Sequence, residues 1–333
     1  MTPHIGFVLS HEQFAAPQLL KLGVAAEGAG FEQLWTSDHF HPWQDNQGHS
    51  GQAWITLAAL GERTRSIPFG TGVTCPSFRY RPAIVAQAFA SLAVLSPGRV
   101  FLGVGSGEAL NEVPSGGGWD DAGGRLDRMV EAVGLIRQLW TGDWVSHTGR
   151  YYQVENARIY DPPPQPVPIY IAASGRRAAR TAGEFGDGWI TDAVSVGRPE
   201  IREAFREGAR LAGKDPAQLR VLVESYVVCG GTAEAEIAAR LWRFVPIGFE
   251  DLLDQPDPRE IQRIAEERLR LEDVYRNWVV SEDPRVHVNA IQKQLEAGAT
   301  DIFIHSGQSD QEQVIDFYGR DVLPRLRALT RAA

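Results

Sequence analysis

"VFLGVGSGEALNE", residues 100–112, opens as an unbroken apolar run and closes on glycines at every second position, two glutamates and an asparagine. Gly103, Gly105 and Gly107 are spaced GxGxG, whereas a dinucleotide-binding turn needs GxGxxG opening a helix. The stretch therefore reads as a wholly buried parallel strand whose end a ligand approaches closely. Seven other segments share its character: "HIGFVLS" (4–10), "QLWTSD" (33–38), "FGTGVTC" (69–75), "VPIYIAAS" (167–174), "GWITD" (188–192), "VLVESYVV" (221–228) and "DIFIHS" (301–306). Between them, 17–29, 82–95, 125–141, 176–186, 199–212 and 284–297 carry apolar residues at the helical period. Eight apolar strands alternating with helices predict a closed (β/α)₈ TIM barrel rather than a doubly wound sheet.

The barrel is expected to span residues 1–333 as one domain, with an insertion at about 230–283 between the seventh and eighth strands. A second long connection, 108–124, follows the fourth strand, and the prolines of "DPPPQPVP" (161–168) stiffen the approach to the fifth. The start "MTPHIGFVLSHEQF" has no basic segment followed by an apolar one, and no run of 18 apolar residues occurs, so export and membrane spanning are not expected. The expected location is the cytoplasm. Two cysteines, Cys75 and Cys229, are too few for a disulfide framework. A net charge of -9 argues against a sequence-independent grip on nucleic acid.

In such barrels chemistry gathers where the strands end. Here those ends are Ser10, Asp38 with His39, Val73 to Cys75, Ser106 to Glu108, Ser174, Thr191 with Asp192, and His305. Asp38 and His39 from the second strand face Glu108 and Asn111 from the fourth. A histidine beside carboxylates suits proton transfer near neutrality, because its ordinary pKa of about 6.5 allows either state. His39, His41 and His49 with Asp38 match no metal-ligand spacing, so no metal is expected. No P-loop and no nucleophile elbow occur. "ASGRRAAR" (173–180) begins a helix directly after a strand, so Ser174, Gly175, Arg176 and Arg177 form a candidate anion cradle.

"SDHFHPW", "GERT", "FRYRPAIVAQAFA", "PGRVFLGVGSGEALNE", "YIAASG" and "GDGWIT" together resemble the F420-dependent branch of the bacterial-luciferase-like superfamily, which contains F420-dependent glucose-6-phosphate and secondary alcohol dehydrogenases. The resemblance runs in order through nearly the whole chain. It implies a TIM barrel with a late insertion, a homodimer, and coenzyme F420 in the barrel mouth. By that resemblance Asp38 contacts the deazaflavin, while His39, Trp43 and Glu108 surround the reacting carbon. Gly72 and Val73 form a bulge behind the ring that is often a non-proline cis peptide. Cys75, Ser106, Gly107 and Asn111 match cofactor-contact positions, and Ser174, Gly175, Arg176 and Arg177 match the phosphate-tail turn. His39 is the candidate base, with Glu108 serving the proton on the cofactor's N1 side.

Departures from the family pattern bear on the substrate. The phosphosugar enzymes bind phosphate through two lysines and an arginine, and the matching segments here, 192–197, 245–256 and 275–280, contain no lysine. By that alignment Ser195, a residue among Glu250 to Leu253, and Asn277 fill those positions, with Arg276 beside the last, and Thr191 and Asp192 are the other expected substrate-side residues. A buried dianion without partners is costly, so an unphosphorylated alcohol, ketone or related carbonyl compound is favoured. Three other readings fit the motifs: an FMN-dependent oxidoreductase or monooxygenase, a sugar-6-phosphate dehydrogenase with an altered phosphate site, and a catalytically silent cofactor carrier.

Overall fold

The computed structural model describes residues 3–332. Eight parallel strands close on themselves: β1 (His4–Leu9), β2 (Gln33–Thr36), β3 (Phe69–Thr71), β4 (Val100–Val104), β5 (Ile169–Ala172), β6 (Gly188–Asp192), β7 (Arg220–Val228) and β8 (Asp301–His305). β1 lies between β8 and β2, and the β6–β7 pair completes the ring. All eight strands lie where the apolar runs predict them.

Alternation along each strand sorts the residues into layers. Val8, Trp35, Phe101, Tyr170, Ile190, Leu222 and Phe303 fill the middle of the barrel, with Trp35 stacked on Phe303 at 3.8 Å. At the amino-terminal end, fully buried Asp301 accepts bonds from Arg220 (2.9 Å to each oxygen) and Gln33 (2.8 Å), closing the floor with polar groups that are all paired. Residues of opposite parity face the surrounding helices, whose apolar faces complete the larger outer core.

Proline sets several helix starts, since its fixed φ suits the first turn and its missing N–H costs nothing there. Pro17, Pro82, Pro199, Pro258 and Pro284 all take such positions. Asp257 and Asp283 cap two of these helices by accepting from Arg259 N and Arg285 N. The insertion folds into helices Thr232–Leu241, Gly248–Asp251, Pro258–Arg268 and Leu271–Tyr275, then a short strand, Val279–Val280, paired with β7. Three features escape the periodicity: helix Ala53–Arg63, the hairpin Val145–Thr148/Gln153–Ala157 outside the barrel, and the carboxyl-terminal helices from Gln311. Among the described residues no helix is long and apolar enough to cross a membrane.

Candidate active site

The end of β2 delivers Asp38 and His39 into different surroundings. The Asp38 carboxylate has no exposed surface: it accepts from Thr74 Oγ1 (2.6 Å), Arg79 Nη2 (3.1 Å) and Tyr80 OH (3.4 Å). Arg79 also donates to the Asp38 carbonyl at 2.8 Å. Burial and the nearby Asp38 charge push the Tyr80 phenol up to about 12, so it stays a donor. The Asp38 carboxylate is thus held by Thr74, Arg79 and Tyr80.

His39 has a side chain about one-tenth exposed, enough to meet a ligand. Its Nδ1 lies 3.0 Å from the His41 carbonyl, which can only accept, so Nδ1 carries hydrogen and Nε2 is the atom that takes or gives a proton. Nε2 is 3.5 Å from Glu12 Oε1, and Glu12 is buried with its other oxygen accepting from Ser37 Oγ at 2.5 Å. Glu12 therefore sets a carboxylate oxygen opposite His39 Nε2. It lies just past the end of β1 in "SHEQF", where strand alternation no longer reports direction.

Asn111 ties the two strand ends together. Its Oδ1 accepts from Phe40 N (2.8 Å) and His41 N (3.3 Å), while its Nδ2 donates to Glu108 Oε2 (3.1 Å) and lies 3.3 Å from His39 Nδ1. Glu108 is half-buried at the start of the turn Ala109–Glu112. Trp43 stacks on Phe244 of the insertion at 4.5 Å and lies 5.8 Å from the His39 ring, so the insertion roofs this side of the mouth with aromatic surface.

The peptide bond between Gly72 and Val73 is cis, in the bulge that follows β3. Val73 packs against the middle layer, and a Cβ on Gly105 would come within 2.7 Å of Val73 Cγ2. Gly107 has φ +92°, and a Cβ there would sit 2.8 Å from Cys75 Sγ. Burial, with Glu112 nearby, pushes the Cys75 thiol up, so it is an inert neutral wall. Ser106 is half-buried between these glycines.

Ser174, Gly175, Arg176 and Arg177 are all exposed where helix Arg176–Phe185 begins. No side chain caps that helix, and the space where a Gly175 Cβ would stand is empty to 4 Å. Arg177 is paired with Asp127 at 3.2 Å. Across the mouth, Asp192 accepts from Val194 N, Ser195 N and Ser195 Oγ, so these two candidates engage each other. Thr191 is buried, and its hydroxyl has no partner among the described residues. Asn277 is exposed in the turn before Trp278, and neighbouring Arg276 is held by Asp273. His41 and His49 do not join His39 as ligands of a common ion; among the described residues no group of three histidine, cysteine or acidic side chains is arranged to hold a metal.

The luciferase-like monooxygenase family profile matches residues 2–301. This chain belongs to that family. An F420-dependent hydroxymycolic acid dehydrogenase of Mycobacterium tuberculosis is 50% identical over 323 residues, 97% of this chain and 88% of that protein. An F420-dependent glucose-6-phosphate dehydrogenase of Nakamurella multipartita is 41% identical over 336 residues, 99% of each chain. The solved structure of an F420-dependent secondary alcohol dehydrogenase with an F420-acetone adduct superposes with a TM-score of 0.92 at 34% identity, covering 98% of this chain and 100% of that one. Within the luciferase-like family frame, the sequence motifs name the β2, β3 and β4 ends, whereas Glu12, Arg79, Tyr80 and the insertion aromatics emerge only from the fold.

Proposed function

We propose that this chain transfers a hydride between coenzyme F420 and the carbinol carbon of an unphosphorylated secondary alcohol, or the corresponding ketone. The observation that carries the reading is His39, whose Nδ1 hydrogen is committed to the His41 carbonyl so that Nε2, beside buried Glu12, is left to accept a proton. Similarity to three F420-dependent dehydrogenases supports the cofactor and the reaction type.

The residues fit that cofactor. A side chain at Gly105 would collide with Val73, so the chain just past β4 stays bare beside the Gly72–Val73 turn, where a flat ring can approach the backbone. The uncapped helix at Gly175 offers free N–H groups, and Arg176, which has no ion pair among the described residues, adds charge for an anionic tail. When bound, the deazaflavin accepts or gives the hydride at its C5. His39 Nε2 takes the hydroxyl proton as the alcohol is oxidised, and Glu12 offsets the charge that develops on the ring. In the reverse direction the same atom protonates the ketone oxygen. Trp43 and Phe244 exclude water from that oxygen. Glu108, held by Asn111, would serve the proton on the cofactor's N1 side. Thr191, Asp192, Ser195 and Asn277 bound the substrate side without a lysine, and Arg276 is engaged by Asp273, which disfavours a phosphorylated substrate.

The protein works as a cytoplasmic homodimer in this reading. Exposed Ile55 and Ile84 on adjacent helices beside the early strands supply apolar surface for pairing, and two buried free thiols suit a reducing compartment. The test is fluorescence titration of the protein with F420 and with FMN, followed by rapid mixing with a secondary alcohol. Micromolar or tighter F420 binding and alcohol-dependent F420 reduction are expected. Tight FMN binding without F420 binding overturns the assignment.

A further inference from the structure

The mouth contains a second histidine–carboxylate pair that the hydride-transfer reading leaves without a role. His305 ends β8, almost fully buried, with Nδ1 2.7 Å from Glu224 Oε1 and Nε2 2.8 Å from Ser10 Oγ. An ionised carboxylate only accepts, so Nδ1 carries hydrogen and, in the neutral ring, Nε2 accepts from the Ser10 hydroxyl. The ring is clamped by Tyr226, stacked at 4.4 Å, and by the edge of Trp242, also at 4.4 Å. Trp242 is itself fixed by donating Nε1–H to Gln13 at 3.0 Å. Ser10, Glu224 and His305 each lie two residues beyond a middle-layer side chain, Val8, Leu222 and Phe303, which places all three in the layer above it.

The carboxylates of this wall differ in what they have left to offer. Glu12 is buried, and its two oxygens face Ser37 and His39. Asp192 spends both oxygens on the turn that follows it. Glu224 is about a quarter exposed, its Oε1 is held by His305, and its Oε2 accepts no hydrogen bond from any described residue. A carboxylate fixed through one oxygen and open at the other is a pre-oriented acceptor for a donor on a ligand. Tyr226 adds to this wall: burial, then the charges of Glu224, Glu12 and Asp192, push its hydroxyl well up, so it presents no further negative charge.

We propose that Glu224, positioned by His305 and Ser10, is a specificity-determining residue whose free oxygen accepts a hydrogen bond from a second hydroxyl of the substrate, selecting uncharged diols and rejecting carboxylates and phosphates. The proposal rests on the dehydrogenase reading above and names the substrate class for that same site.

Three C4 alcohols with the same secondary carbinol test it: 2-butanol, 1,3-butanediol and 3-hydroxybutyrate, which end in a methyl, a hydroxymethyl and a carboxylate. With F420 bound, kcat/KM should fall in the order diol, monoalcohol, acid, the diol leading the monoalcohol by about 10- to 100-fold, the worth of a hydrogen bond to a charged group. Glu224→Leu should collapse the diol-to-monoalcohol ratio towards one and raise the acid-to-monoalcohol ratio, chiefly through KM. If Glu224→Leu does not fold, the isosteric Glu224→Gln and the partner change Ser10→Ala should each reduce the diol ratio, with F420 affinity as the check on folding. A wild-type enzyme that oxidises 2-butanol as well as 1,3-butanediol overturns the proposal and leaves the dehydrogenase reading standing. F420 binding with no oxidation of any of the three overturns both.

Discussion

His39 holds its reactive proton at one atom because the other ring nitrogen is committed to the His41 carbonyl. His39→Ala should lower the rate of alcohol-dependent F420 reduction by about 10²–10⁴-fold while leaving F420 affinity nearly intact. His41→Ala keeps that carbonyl, which belongs to the backbone, and should change turnover little. Rapid mixing separates the two, and an unchanged hydride-transfer rate in His39→Ala would move the proton to Glu108, which accepts from Asn111 beside His39. Glu112 carries a different signature. Burial raises its carboxyl from 4.5 to about 7, and its Oε1 has no partner among the described residues. Between those two values the folded chain keeps a proton that the unfolded chain has released, so stability falls as pH rises through the window, by about 3 kcal/mol in all. Glu112→Gln should flatten that slope. Denaturant midpoints near pH 5 and pH 8 for both proteins decide it, and an equal pH dependence in the two would show that Glu112 is not its source.

Strand ends position the chemistry, and the insertion covers it. Phe244 is buried against Trp43 and Trp242, so it joins the insertion to the β2 end. Phe244→Ala removes a stacked ring from that junction, a change of the class that costs about 3–5 kcal/mol. The expected outcome is faster amide exchange across 232–280 with unchanged protection in β1 and β2, together with a raised KM for the alcohol. Uniformly faster exchange would mean that insertion and barrel open as one unit. The strands were legible in the sequence because each buries both faces, which forces an apolar run of recognisable length. The insertion was not, because its aromatic residues pack on loops and side chains rather than on a regular sheet, and no period records that. The β2, β3 and β4 ends were legible as motifs. The Glu224–His305 pair was not, since it depends on the register that places Tyr226 opposite His305 and Glu224 opposite Phe303, residues about eighty apart in the chain.

Across the whole molecule, stability and chemistry sit at opposite ends of the same strands. β8 begins at Asp301, which holds Arg220 and Gln33 on the barrel floor, and ends at His305 in the mouth, about 13 Å away by the strand rise. Removing Asp301 leaves Arg220, whose side chain is only about one-fifth exposed, without its carboxylate. Breaking a pair of this kind costs about 3–5 kcal/mol, because the remaining charge stays buried and uncompensated. Asp301→Ala should therefore lower the denaturant midpoint strongly. At low temperature, where the variant is still folded, kcat and F420 affinity should match the wild type, since the middle layer of Trp35, Phe101 and Phe303 lies between the floor and the mouth. Activity lost in proportion to stability under conditions where the far-ultraviolet spectrum is native would show instead that the floor sets the geometry of the strand ends. The separation of the two ends would then be architectural only, with the register of β8 transmitting a change at Asp301 directly to His305.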